Sequence, residues 1–246
     1  MRAMPVWTDL AAYRAAVAEL APLVRLAEAD GVGALRVVDG RGAWWDRVER
    51  LTDAAGIVVD EPHPAPAAAH DRLRALGVPV VVARRRLRAD VVASIVPAPT
   101  AHVVVDAWGA PSEAAVLLRD AVGWARVLAG GSLEVVAHAA TPTADVLALV
   151  HGPVGISVTR AVGGSGVGDA LTAITLGPRR VEVRVDSAAA TVHVQNDDID
   201  GRRIAAPRRE AAERVALRRL RDAIGSGERP GDLDELAHDD GILGVE

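Results

Sequence analysis

The chain has 246 residues, half of them hydrophobic, but with no Phe, one Tyr (Tyr13) and five Trp its core must be built from Ala, Val and Leu. It has no Cys and no Lys, which excludes thiolate nucleophiles, disulfides, Cys-based metal sites, Schiff bases and a P-loop lysine; Arg stays protonated and cannot serve as acid or base. A net charge of −5 with few aromatic residues offers little to a nucleic-acid backbone.

Residues 8–29 read as a helix. Thr8 or Asp9 can cap it, Leu10, Tyr13, Val17, Leu20 and Val24 form one apolar stripe, and Pro22 kinks or divides it. Apolar runs at Leu35–Val38, Gly56–Asp60 and Val78–Ala83 then alternate with helical stretches around Trp44 and Trp45 and over 67–76. That rhythm predicts parallel strands buried on both faces. The segment Ile95-Val-Pro-Ala-Pro-Thr100 reads as a linker, which divides the chain into domains 1–98 and 99–246.

Beyond it, His102–Trp108 reads as a strand and 112–129 as a helix stopped by Gly130-Gly131. Six strand-like runs follow, at 133–139, 144–150, 154–160, 169–176, 180–186 and 190–195, separated by turn residues, as in an antiparallel sheet. In 180–186, Val181, Val183 and Val185 alternate with Glu182, Arg184 and Asp186, giving one wet face. A last helix spans 207–224. No apolar run approaches the roughly 18 residues needed to cross a bilayer, and Met1–Ala3 leads into no signal-peptide core, so a soluble, cytoplasmic protein is expected.

This layout resembles the Gfo/Idh/MocA oxidoreductases (glucose–fructose oxidoreductase, inositol dehydrogenase and relatives). Ala54–Pro62 is similar to the family strand that ends in Thr-Pro, and Gly77–Arg85 to the strand that ends in Glu-Lys-Pro. Leu117–Trp124 resembles the helix carrying Asp-x-x-x-His, and Asp145–Arg160, with the turn Gly152-Pro-Val-Gly155, the paired strands that follow. Asp239-Asp-Gly241 resembles the family's C-terminal Glu-Asp-Gly. The resemblance implies an α+β protein: a Rossmann-like α/β half, truncated here, then an open, mostly antiparallel sheet with helices packed on one face.

The departures bear on activity. With helix 8–29 opening the chain, no strand and Gly-x-Gly-x-x-Gly turn precede it to hold a cofactor pyrophosphate. Arg84 stands where the family has its lysine, Ala83 and Arg85 where it has glutamate and proline, and Trp124 where it has the catalytic histidine. Asp120 survives, without a partner able to relay a proton. No cofactor is therefore expected.

Other constellations have plainer readings. Gly163–Gly168 lacks the strand–turn–helix context of a nucleotide loop and is expected to be a hairpin loop. Glu61, His63, His70 and Asp71 contain metal-ligand types, but turn and helix-cap roles are expected instead, with no metal. Asp120 and Trp124 share a helix face, either as a remnant pocket for a ligand or as structural residues, the reading preferred. Arg84–Arg86 with Arg88 could bind an anion; a solvated run, or ion pairs to a partner, is the alternative.

Family members associate through the exposed face of the sheet. The resemblance thus implies a degenerate, oligomerising binding or assembly partner, pairing with itself or an active paralogue. The alternatives are an NAD(P)-independent enzyme acting on a sugar-like or other small metabolite, anchored by Asp120 and Arg84, or a divergent NAD(P)-dependent oxidoreductase.

Overall fold

The computed structural model describes residues 3–28, 31–96, 98–163, 168–186, 191–208 and 210–244. They fall into two compact units: residues up to Arg84 with Glu210–Gly241, and Arg85–Arg209 with Ile242–Gly244. The boundary thus lies at Arg84/Arg85 rather than 98/99, and the last helices belong to the first unit. Their apolar faces decide this: Leu217 and Leu220, and Leu233 and Leu236, are buried against the first unit's strands and helices.

The first unit begins with strand β1 (Met4–Trp7), helix α1 (Ala11–Glu19), β2 (Val24–Leu26), β3 (Leu35–Asp39), α2 (Trp44–Glu49), β4 (Gly56–Asp60), α3 (Ala67–Arg74) and β5 (Val80–Ala83). The expected helix over 8–29 is therefore two elements, a helix and a strand. Pro22 cannot donate a helical hydrogen bond, α1 closes at Leu20, and the apolar residue Val24 starts a strand. All strands are parallel in the order β2-β1-β3-β4-β5, so the order reverses between β1 and β3. Runs of β-branched residues such as Gly56-Ile-Val-Val and Val80-Val-Val suit strands covered on both faces, and these are buried throughout.

The second unit contains α4 (Ala89–Val92), β6 (His102–Gly109), α5 (Ala114–Ala129), β7 (Glu134–Thr141), β8 (Ala144–His151), β9 (Val154–Val162), β10 (Ala170–Leu176), β11 (Arg180–Asp186), β12 (Thr191–Asp198) and β13 (Gly201–Ile204). Its eight-stranded sheet runs β13-β12-β11-β10-β6-β9-β8-β7 and is antiparallel except for the β6–β9 pair. Helix α5, capped by Gly130 at a φ of 88°, lays Leu117, Ala121, Trp124 and Leu128 against one face. The first unit is completed by α6 (Ala212–Ser226) and α7 (Asp232–Ile242). Helix α6 covers the α1 side of the parallel sheet and α7 the α2–α3 side.

Within β11, Val181, Val183 and Val185 face the core as expected, but Glu182 is also buried, because Arg180 and Arg184 pair with it. Gly163–Gly168 does not close a hairpin: β9 and β10 each pair with β6 and lie on its two sides. Residues 164–167 of that run lie outside the described residues.

Candidate functional site

In an open parallel sheet, ligands bind beyond the carboxyl ends of the strands where the order reverses. Here that place follows β1 and β3. A strand–turn–helix does occupy it, contrary to the expectation that none precedes the first helix, but the turn is Thr8-Asp9-Leu10. Counted from Thr8, the positions of Gly-x-Gly-x-x-Gly fall on Thr8, Leu10 and Tyr13. The Leu10 N–H donates to Thr8 Oγ1 at 3.1 Å. The exposed Asp9 puts a carboxylate where a pyrophosphate would need amide N–H groups.

Tyr13 is the sharpest departure. The third glycine of the fingerprint permits close packing of helix on strand, whereas Tyr13 fills that position with a fully buried ring. Its hydroxyl donates to Asp60 Oδ1 at the end of β4, 3.0 Å away. Sequence reasoning placed Tyr13 in an apolar stripe and missed this bridge; the hint was its being the only tyrosine.

The neighbouring turns are stitched together. Gly40 N–H donates to Asp60 O and His63 N–H to Gly40 O, both at 2.7 Å, and the Trp44 indole donates to His63 O at 2.9 Å. A Cβ on Gly40 would lie 2.3 Å from Pro62 Cα, so only glycine allows this approach.

The residues weighed as metal ligands are dispersed. His70 is buried on α3 with Nε2 2.8 Å from Asp240 Oδ2, which also accepts the Ala65 N–H. Asp71 is exposed and pairs with Arg74, and Glu61 occupies a positive φ of 48°. The cap of α3 is Pro66, with no side-chain hydrogen bond, so the cap role expected for these residues is not theirs. Among the described residues no three His, Asp or Glu could hold a metal together.

The basic cluster is not a solvated run. Arg84, which follows β5, is 7% exposed and donates from Nη1 to Asp239 Oδ2 on α7 at 2.6 Å. In the second unit Arg86 is buried too. Its Nη2 bonds Asp169 at 2.5 Å and Glu113 at 3.1 Å, and its Nη1 lies 3.9 Å from Asp120 Oδ2. Arg88 forks onto Asp90 at 2.9 and 3.0 Å. Burial pushes the Asp90 carboxyl up, but the hydrogen bond and charge of Arg88 outweigh it, holding it below the ordinary carboxylate range.

Asp120 and Trp124, one turn apart on α5, both serve Arg86. Asp120 has no exposed surface and accepts from Arg119 Nη2 at 3.1 Å. Trp124, also fully buried, donates Nε1–H to the Arg86 carbonyl at 2.7 Å. The second unit therefore joins Asp120 and Trp124 around Arg86, and Arg84 is engaged separately in the first. Arg86, Glu113 and Asp169 were not expected to belong together; no sequence spacing links residues so far apart. In this arrangement Arg119 and Arg86 lie against the aspartate, and an arginine, protonated at any working pH, offers it no proton relay.

No protein-family model matches the chain, and no curated protein matches by sequence. Solved structures do match in fold. A mutant of KijD10, a 3-ketoreductase from Actinomadura kijaniata in complex with TDP-benzene and NADP, superimposes with a TM-score of 0.69 at 14% identity, over 99% of this chain and 96% of that one. A putative NADPH-dependent oxidoreductase from Desulfitobacterium hafniense gives 0.71 at 11% identity, over 99% and 94%. The UDP-N-acetylglucosamine 3-dehydrogenase GnnA from Acidithiobacillus ferrooxidans gives 0.59 at 11% identity, over 98% and 95%. No helix among the described residues is long and apolar enough to cross a membrane.

Proposed function

From the fold of the Gfo/Idh/MocA oxidoreductases, which this chain has, we propose a protein that performs no NAD(P)-dependent hydride transfer and works as an associating partner. It pairs with a second copy, or with an active relative, through the sheet face opposite α5. The observation that carries the loss of hydride transfer is Tyr13, buried and bonded to Asp60 where a dinucleotide fold needs glycine. The turn carboxylate of Asp9 and the absence of a titratable group at Trp124 support the same reading.

Pairing is supported by the uncovered face of the sheet. Trp108 is 40% exposed, Val146 50% and Leu176 46%; Thr159 and Thr172 share this face, with the exposed Asp106 between them. Eight strands about 4.8 Å apart and about 23 Å long present roughly 900 Å², which meets the roughly 800 Å² per partner of a standard interface. Exposed aromatic and aliphatic side chains among hydroxyls and charges such as Asp106 and Arg184 suit such a contact.

The experiment has two arms. Titration with NADH and NADPH is expected to give no saturable binding; micromolar saturation would revive the dehydrogenase reading. Native mass spectrometry is expected to show a dimer or a mixed oligomer with a co-encoded oxidoreductase, and Trp108→Glu to dissociate it. A wild-type protein that stays monomeric alone and in the mixture would remove the pairing proposal. Altered chemistry is less well supported, since Asp120 would first have to leave Arg119 to meet a ligand.

A further inference from the structure

On the α5 side of the sheet, β8 and β9 bury an apolar row of Leu147, Leu149, Ile156 and Val158. The row is broken at one end by Asp145 and Arg160, directly opposed across the β8–β9 ladder, with His138 beside them on β7. Where continuity of the pattern would supply Val or Leu, three ionisable side chains occur on consecutive strands. Placing charge there is costly unless each group is matched.

The match within the chain is partial. Asp145 is satisfied: Oδ2 accepts from Arg160 Nη2, and Oδ1 lies 3.1 Å from His138 Nε2. Arg160 is not. It is 8% exposed, and its Nε and Nη1 are buried with no acceptor among the described residues. Leaving buried guanidinium donors unmet costs more than a made hydrogen bond returns. The pair lies close to solvent. β7 is exposed along its whole length, and the His138 side chain is 33% exposed beside the buried pair.

We propose that Arg160, with His138 at the rim, binds a small oxyanion, the carboxylate or phosphate group of a metabolite. The guanidinium supplies directed N–H donors of fixed geometry, which suit planar carboxylates and phosphate oxygens. Asp145 orients Arg160 through Nη2 and competes with the ligand for its charge, so it limits affinity while fixing the fork. The site lies on the face opposite to the one proposed for pairing and does not depend on that proposal.

The test uses the full chain with inorganic phosphate and, separately, acetate, each against chloride of equal ionic strength, read by calorimetric titration and by the melting temperature. Saturable binding of either anion is expected; which one binds identifies the group recognised. Arg160→Gln should weaken it about tenfold or more, and Asp145→Asn, by removing the competing charge, should strengthen it. If Arg160→Gln does not fold, His138→Gln, at a partly exposed position, should weaken binding while Asp145→Asn strengthens it. Neither anion binding, or binding indifferent to these substitutions, would overturn the proposal and leave a purely structural ion pair.

Discussion

Replacing Trp124 with alanine is expected to lower the stability of the second unit by about 3–5 kcal/mol. The ring has no exposed surface and packs among Leu117, Ala121 and Leu128 under the sheet, so its removal opens a cavity in the largest apolar cluster. It also removes the hydrogen bond that the Arg86 carbonyl accepts from the indole N–H. Trp124→Phe separates the two effects: it keeps most of the volume and should cost only about 1–3 kcal/mol, the penalty of removing one partner of a buried hydrogen bond. Trp124→His, which places there the histidine that the family resemblance implies, should behave like the alanine variant and gain no NAD(P)H-dependent turnover. The measurement is urea denaturation followed by near-ultraviolet circular dichroism. A Trp124→Ala midpoint equal to wild type would mean that the ring is dispensable to the core and would reopen the reading of a ligand-stacking surface.

Asp120→Ala is expected to be as damaging, by about 3–5 kcal/mol, for an electrostatic reason. It removes one acceptor of Arg119, whose guanidinium is wholly buried, and one of the carboxylates facing Arg86. An uncompensated buried charge is far worse than an absent pair. Asp120→Asn keeps an acceptor without the charge and should fall between. Removing Arg86 as well, as Asp120→Ala with Arg86→Met, should recover part of the loss, a positive coupling between contacting residues. Full recovery is not expected, because Arg86 also holds Glu113 and Asp169. If Asp120→Ala melts with the wild type, the ion-pair cluster does not stabilise the unit. If it melts lower but abolishes a turnover found in the wild type, Asp120 has a chemical role besides.

The parts of the fold that were legible in sequence are those where one local signal dominates. The runs before Asp60 and Arg84 are rich in β-branched residues and continuous, and they are buried strands. The stop of α5 at Gly130 was equally plain. β1 was not, because Pro5 argues against a strand paired on both sides, yet β1 lies between β2 and β3. Helix α7 was read only through the short motif Asp239-Asp-Gly241, not as a helix. Its Asp239 and Asp240 are buried because Arg84 and His70, more than 150 positions earlier, meet them. The same limit applied at the candidate site. Asp120 and Trp124 were visible from their spacing on one helix, but their shared partner Arg86 comes from before β6, and Asp169 from beyond β9. Partner choice among buried charges is settled by the tertiary fold, which periodicity does not report.

The return of α6 and α7 to the first unit has a consequence for how the protein is made. Its parallel sheet is synthesised early, but Leu217 and Leu220 for one side and Leu233 and Leu236 for the other leave the ribosome only after the second unit. Until then the nascent strands keep apolar surface open to solvent, the condition that makes a folding intermediate prone to aggregate. A fragment ending at Arg84 would carry the same exposed surface permanently, so the two units are divisible in space but not by cutting the gene once.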